Sequence, residues 1–156
     1  MNTETNPYER PDAPLADSLD ARPVGFWMRV VASIVDTILM VLVIAPILYL
    51  VYGPDYFTST TLSHGALDII MQYLIPAVVV IVFWVYKSAT PGKMIIGAKI
   101  IDANTGGPAS TGKLILRYVG YYIAAIPLGL GILWVGWDRR KQGWHDKIAG
   151  TMVVGK

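Results

Sequence analysis

The chain has 156 residues, 54% of them hydrophobic and only 15% charged. Soluble domains carry roughly 25% charged residues, so this composition points to one small integral membrane domain and excludes a disordered chain. Absent cysteine excludes disulfides, thiolate metal sites and cysteine nucleophiles, and the net charge of +2 is unevenly spread.

Residues 1–20 hold five acids against Arg10, whereas residues 21–156 hold twelve basic and six acidic side chains. The Pro-containing segment 1–21 has no apolar run and reads as a disordered, acidic cytoplasmic tail. It lacks the basic start and apolar stretch of a signal peptide. The basic residues beyond it flank apolar spans, which suits anionic lipid head groups rather than nucleic acid.

Three uncharged runs follow, at residues 37–54, 69–86 and 118–137. Since a membrane-crossing helix needs about 20 mostly apolar residues, the first two extend to predicted spans over 24–52 and 66–86. Phe26, Trp27, Tyr49, Tyr52, Trp84 and Tyr86 mark their ends as aromatic belts do. The connection 53–65 has no Lys or Arg, while 87–113 has four lysines. That asymmetry places the first loop outside and the second, with the N-terminus, in the cytoplasm.

The third apolar segment, 114–137, is interrupted by Ile126-Pro127-Leu128-Gly129-Leu130-Gly131. Proline and glycine break a helix, so the segment is expected to enter the membrane and return rather than cross. A return keeps Arg139, Arg140, Lys141 and Lys147 cytoplasmic. It also lets the strand-like runs 94–102 and 151–154 pair as a two-stranded β element on one side. The predicted fold class is therefore all-α integral membrane: two transmembrane helices, a broken re-entrant segment and a small cytoplasmic β element.

Charged residues inside these spans carry the functional argument. Arg29 lies roughly 7 Å and Asp36 roughly 18 Å inside a helix that begins near Val24. An acid at that depth costs about 2.5–3.5 kcal/mol unless it finds a partner, water or a proton. Seven residues apart, the two share a face with Ser33, but Arg29 leans away from Asp36. Arg29 therefore reaches for Asp146 or Asp138 at the cytoplasmic boundary, with Asp146 preferred, and Asp36 is left to a second arginine or a bound cation. Asp68 opens the second span as a capping residue at the outer surface. No enzyme constellation appears: His64 and His145 lie on opposite predicted sides, and Thr90-Pro91-Gly92-Lys93 lacks Walker spacing. No cofactor or metal site is expected.

Three separated motifs then carry a resemblance: Gly25-Phe26-Trp27-Met28-Arg29 with Asp36, then Thr90-Pro91-Gly92-Lys93, and Gly143-Trp144-His145-Asp146-Lys147-Ile148-Ala149-Gly150-Thr151. Together they resemble the RDD family of small bacterial membrane proteins, named for one arginine and two aspartates. Arg29 and Asp36 match the first two of these; Asp146 matches the third, with Asp138 as competitor. The resemblance implies a bacterial inner-membrane location and a role in transport and cation/proton exchange. The expected function is monovalent cation/proton antiport with Asp36 as proton site, in a homo-oligomer because so few segments enclose little volume. The alternative is a non-transporting accessory or scaffold protein that binds lipid or a partner protein.

Overall fold

The computed structural model describes residues 22–61 and 64–155, so the acidic tail reading falls outside the described residues. Helix α1 (Phe26–Tyr52) runs for 27 residues and ends where Gly53 takes a positive φ of 81° and donates its N–H to the Tyr49 carbonyl. A 3-10 turn (Pro54–Phe57) follows. The second long helix is made of α2 (Ala66–Ile69), a π-turn (Ile70–Leu74) and α3 (Ile75–Lys87). Pro76 accounts for the π-turn: it has no N–H to give the carbonyl four residues back, so the preceding ladder loosens.

Both helices are long and apolar enough to cross a membrane, and only 6% of either apolar window is buried inside the protein. Side chains such as Leu42, Leu50 and Val43 point outward along α1. Surfaces this apolar belong against lipid or another protein, not water.

After Ser88 the chain turns into α4 (Pro91–Ile95), whose first residue is a proline suited to that position. Strand β2 covers Ala98–Asp102, so the strand-like reading of 94–102 is corrected at its start: Met94 and Ile95 complete a helical turn, and Gly97 (φ 67°) redirects the chain. Strand β3 (Thr151–Gly155) pairs antiparallel with β2, Ile100 opposite Val153. A third strand, β1 (Arg22–Pro23), joins the other edge of β3, so the expected two-stranded element has three strands in the order β1-β3-β2.

The broken segment is α5 (Thr111–Ala125), then α6 (Leu130–Leu133) with a 3-10 turn (Trp134–Gly136), bent by 115° between them. Pro127 ends the first helix, and Leu128 and Gly129, both at positive φ, turn the chain back. Helix α7 (Trp144–Ala149) packs along α5 and delivers the chain, through Gly150, into β3. A small core of Val24, Trp84, Ala98, Ile100, Leu114 and Val153 forms where the sheet meets the helix ends. The sheet thus gathers the start of α1, the exit from α3 and the end of the chain at one end of the molecule.

Candidate functional site

Asp146 is the hub of the first polar cluster. It stands at the third residue of α7, where its Oδ2 accepts the Gly143 N–H at 3.0 Å and ties down a free amide at the helix start. The same Oδ2 accepts from Arg29 Nη1 at 2.6 Å, and Oδ1 accepts from Arg117 Nη1. Arg117 also donates to Thr151 Oγ1 at 2.8 Å, and Arg29 donates to the Lys141 carbonyl at 2.6 Å and the Val24 carbonyl at 3.1 Å. Arg29 of α1, Arg117 of α5 and the start of α7 are joined through one carboxylate. The Asp146 and Arg117 side chains are fully buried. Burial alone would raise the Asp146 pKa; Arg117 and then Arg29 outweigh it and hold the carboxyl well below the usual range.

The predicted Arg29–Asp146 pair is therefore present. Asp138 is not a member of this cluster: it accepts from Lys147 Nζ at 2.5 Å and from the backbone N–H groups of Arg140 and Gln142. His145 lies beside Asp146, stacked on Tyr121 with ring centroids 3.9 Å apart. Its Nε2 lies 3.4 Å from Asp146 Oδ2, but neither imidazole nitrogen has a hydrogen-bond partner among the described residues. Burial, and next the Arg117 charge, push its pKa down to about 3, so the ring is neutral at physiological pH. Gly120 makes this packing possible, because a Cβ there would sit 2.9 Å from the His145 Cα.

Asp36 forms the second cluster. Its Oδ2 accepts from the Thr90 hydroxyl at 2.5 Å and its Oδ1 from the Gly92 N–H at 2.7 Å. The expectation of a second arginine at Asp36 is corrected: that arginine is Arg117, and it goes to Asp146. The α4 turn takes its place, presenting a hydroxyl and a free N–H of its first turn to the carboxylate. Lys93, almost fully buried, extends the chain by donating to Thr90 Oγ1 at 3.4 Å, with its ammonium 5.9 Å from the centre of the Trp84 ring.

A 450 Å³ cavity adjoins this cluster, walled by Ser33, Asp36 and Thr37 of α1, Thr90 and Lys93 of the turn, and the tyrosines of α5. Ser33 also lines a second cleft, where its carbonyl accepts the Thr37 hydroxyl at 2.9 Å. At the far end of α1, Asp68 is buried and accepts from the Tyr56 hydroxyl, the His64 N–H at 2.9 Å and Gln72 at 2.7 Å. The expected surface cap is corrected: Asp68 is buried, the N-cap Gly65 has no side-chain cap, and Asp68 instead ties the amide of His64 ahead of the helix start. Of the site residues, Arg117 was missed in the sequence, and Thr90, Lys93 and His145 were given no role beyond their place in the quoted motifs. Arg117 had a usable signal, since it is a lone charge at the edge of an uncharged run.

The arrangement joins the three quoted motifs in space: the start of α1, the Thr90-Pro91-Gly92-Lys93 turn and α7. The chain is similar to several bacterial proteins. An uncharacterized protein of Rickettsia prowazekii, RP437, is 39% identical over 74 residues, 47% of this chain and 40% of that protein. YxaI of Bacillus subtilis is 27% identical over 151 residues, 86% of this chain and 99% of the relative. YteJ of Bacillus subtilis, described as an uncharacterized membrane protein, is 29% identical over 144 residues, 89% and 85% of the two chains. No solved structure matches. The model of the RDD family matches residues 23–150, a stretch that holds Arg29, Asp36 and Asp146 together with the turn that answers Asp36, and the chain belongs to that family.

Proposed function

We propose that this membrane protein exchanges a monovalent cation for a proton across a bacterial inner membrane, with Asp36 as the intramembrane site. The observation that carries the reading is the position of the Asp36 carboxylate. It sits within a helix long enough to cross, beside a 450 Å³ cavity that also receives Ser33, Thr37, Thr90 and Lys93. An ionisable group at such a place is expensive, and by default it marks an ion or proton path. The lysine bias of residues 87–113 supports a cytoplasmic sheet, and hence a cytoplasmic N-terminus. Two spans and a bent segment enclose little volume, so the reading includes a homo-oligomer whose contacts are the outward apolar faces. No enzymatic step or cofactor enters it.

Purified protein reconstituted into vesicles with an internal pH dye tests this. A sodium or potassium gradient should drive a pH change in wild-type vesicles, and Asp36→Asn should reduce it to background while the protein still folds. Exchange that survives Asp36→Asn removes Asp36 from the path.

One observation favours a second reading, a non-transporting accessory or scaffold protein. Two of the three family residues, Arg29 and Asp146, are taken up in contacts that bind segments together. Background flux in wild-type vesicles, with a stoichiometric partner retained on purification, would select it.

A further inference from the structure

A second cavity, a cleft of 510 Å³, lies between the first half of α1 and the bent segment. Val30, Ile34 and Ile38 form one wall, and Ile132 and Leu133 the other. Arg29 and His145 belong to the same cleft. From Arg29 to Ile38 the wall runs about 13 Å along the helix.

Three observations at the Arg29 end share one explanation. First, His145 is 2% exposed, and although its Nε2 lies 3.4 Å from Asp146 Oδ2, neither ring nitrogen makes a hydrogen bond among the described residues. Buried polar atoms are almost always hydrogen-bonded, so a ring without a hydrogen bond beside a cavity calls for a ligand. As a neutral imidazole it offers one N–H and one acceptor. Second, Arg29 has five N–H groups, of which three are engaged, by Val24, Asp146 and Lys141. Third, Asp146 is one negative charge facing two arginines, so the buried cluster holds one positive charge in excess.

A phosphodiester meets all three. It supplies one negative charge, acceptor oxygens for the imidazole and guanidinium N–H groups, and, in a lipid, an acyl chain for the apolar walls. The neighbouring run Arg139-Arg140-Lys141, whose last carbonyl is bonded to Arg29, repels a head group that carries its own ammonium. We propose that the cleft holds one anionic phospholipid, its phosphate on His145 and Arg29 and its chain between α1 and the bent segment. Asp36 does not line this cleft, although the cleft shares Ser33, Thr37, Tyr121 and Ile132 with the cavity beside Asp36, and the proposal stands whether or not the protein transports.

Phosphatidylglycerol and phosphatidylcholine, each in mixed detergent micelles, are the probes, and bound lipid is counted by native mass spectrometry beside thermal unfolding. Wild type should retain one phosphatidylglycerol per chain and unfold at a higher temperature with it than with phosphatidylcholine. His145→Phe keeps the stacking on Tyr121 and removes both ring nitrogens. It should unfold no lower than wild type in plain detergent, yet bind phosphatidylglycerol at least about tenfold more weakly, as loss of a charge-assisted hydrogen bond implies. Ile34→Trp, at an outward-facing position of the cleft that does not line the Asp36 cavity, should fold normally and lose the lipid by filling its place. Equal binding of the two lipids by wild type, or phosphatidylglycerol binding unchanged in both variants, overturns the proposal.

Discussion

Gly92 lies so close to Ala32 that a Cβ at residue 92 would stand 2.1 Å from the Ala32 carbonyl oxygen. The contact brings the α4 turn against the first half of α1, and the same Gly92 donates its N–H to Asp36. Packing and the answering of a buried carboxylate are thus one event. Gly92→Ala should push the turn outward, cost at least about 2 kcal/mol through overpacking, and leave Asp36 without one of its two donors. Thermal unfolding in detergent measures the first effect. Gly112→Ala is the control, because nothing lies within 4 Å of its Cβ.

Asp146→Asn should be far more damaging than Asp138→Asn. The first leaves Arg29 and Arg117 facing a neutral amide in a buried site, a loss of about 3–5 kcal/mol. The second breaks an ion pair whose lysine is 45% exposed, worth about 0–1 kcal/mol, together with two backbone contacts. A charge exchange, Arg29→Asp with Asp146→Arg, should not restore stability, because an arginine at 146 would face Arg117. Arg29→Met and Asp146→Asn combined should show a coupling of at least about 1 kcal/mol in a double-mutant cycle. Additive effects would separate the two side chains.

Much of this cluster was legible in the sequence, and the reason is geometric. Helix rise fixed the depth of Arg29, the lean of helical side chains gave its direction, and the strand-like 151–154 fixed where Asp146 had to lie. The spans and the break at Pro127 followed from composition and from residues with restricted or unusual backbone preferences. The partners of Asp36 were not legible, because a backbone N–H at a helix start has no side-chain signature. Arg117 escaped for a different cause: its pairing depends on α7 folding back along α5, a long-range contact that local pattern does not encode. The third strand was too short, at two residues, to show any alternation.

Acid should destabilise the protein before ordinary carboxylates titrate. His145 has a folded pKa pushed down to about 3, below its unfolded value of about 6.5. The unfolded chain therefore takes up a proton that the folded chain refuses. The contribution is complete above pH ~6.5 and is lost as pH falls from there toward about 3, at up to about 1.4 kcal/mol per pH unit. Unfolding temperature should drop between about pH 6.5 and 4.5 in wild type. His145→Phe should flatten that part of the curve, and an unchanged slope would assign it to other groups.

The sheet constrains how the chain crosses a membrane. β1 enters α1 directly, β2 follows the exit from α3, and β3 comes after the bent segment, yet β1 and β2 are both hydrogen-bonded to β3. Strands separated by about 30 Å of hydrocarbon cannot pair. If α1 and the α2–α3 helix each cross, α5 and α6 must leave on the face they came from, and the 115° bend at Pro127 provides the return. The chain has no cysteine, so single introduced thiols report their side without background. Thr105→Cys, in the turn after β2, and Arg139→Cys, after the bent segment, should react with a membrane-impermeant maleimide from the same side. Ser59→Cys, between the two long helices, should react only from the other. Labelling of positions 105 and 139 from opposite sides would mean that α5 and α6 cross as one span, and the β2–β3 pairing could not exist in the membrane-inserted protein.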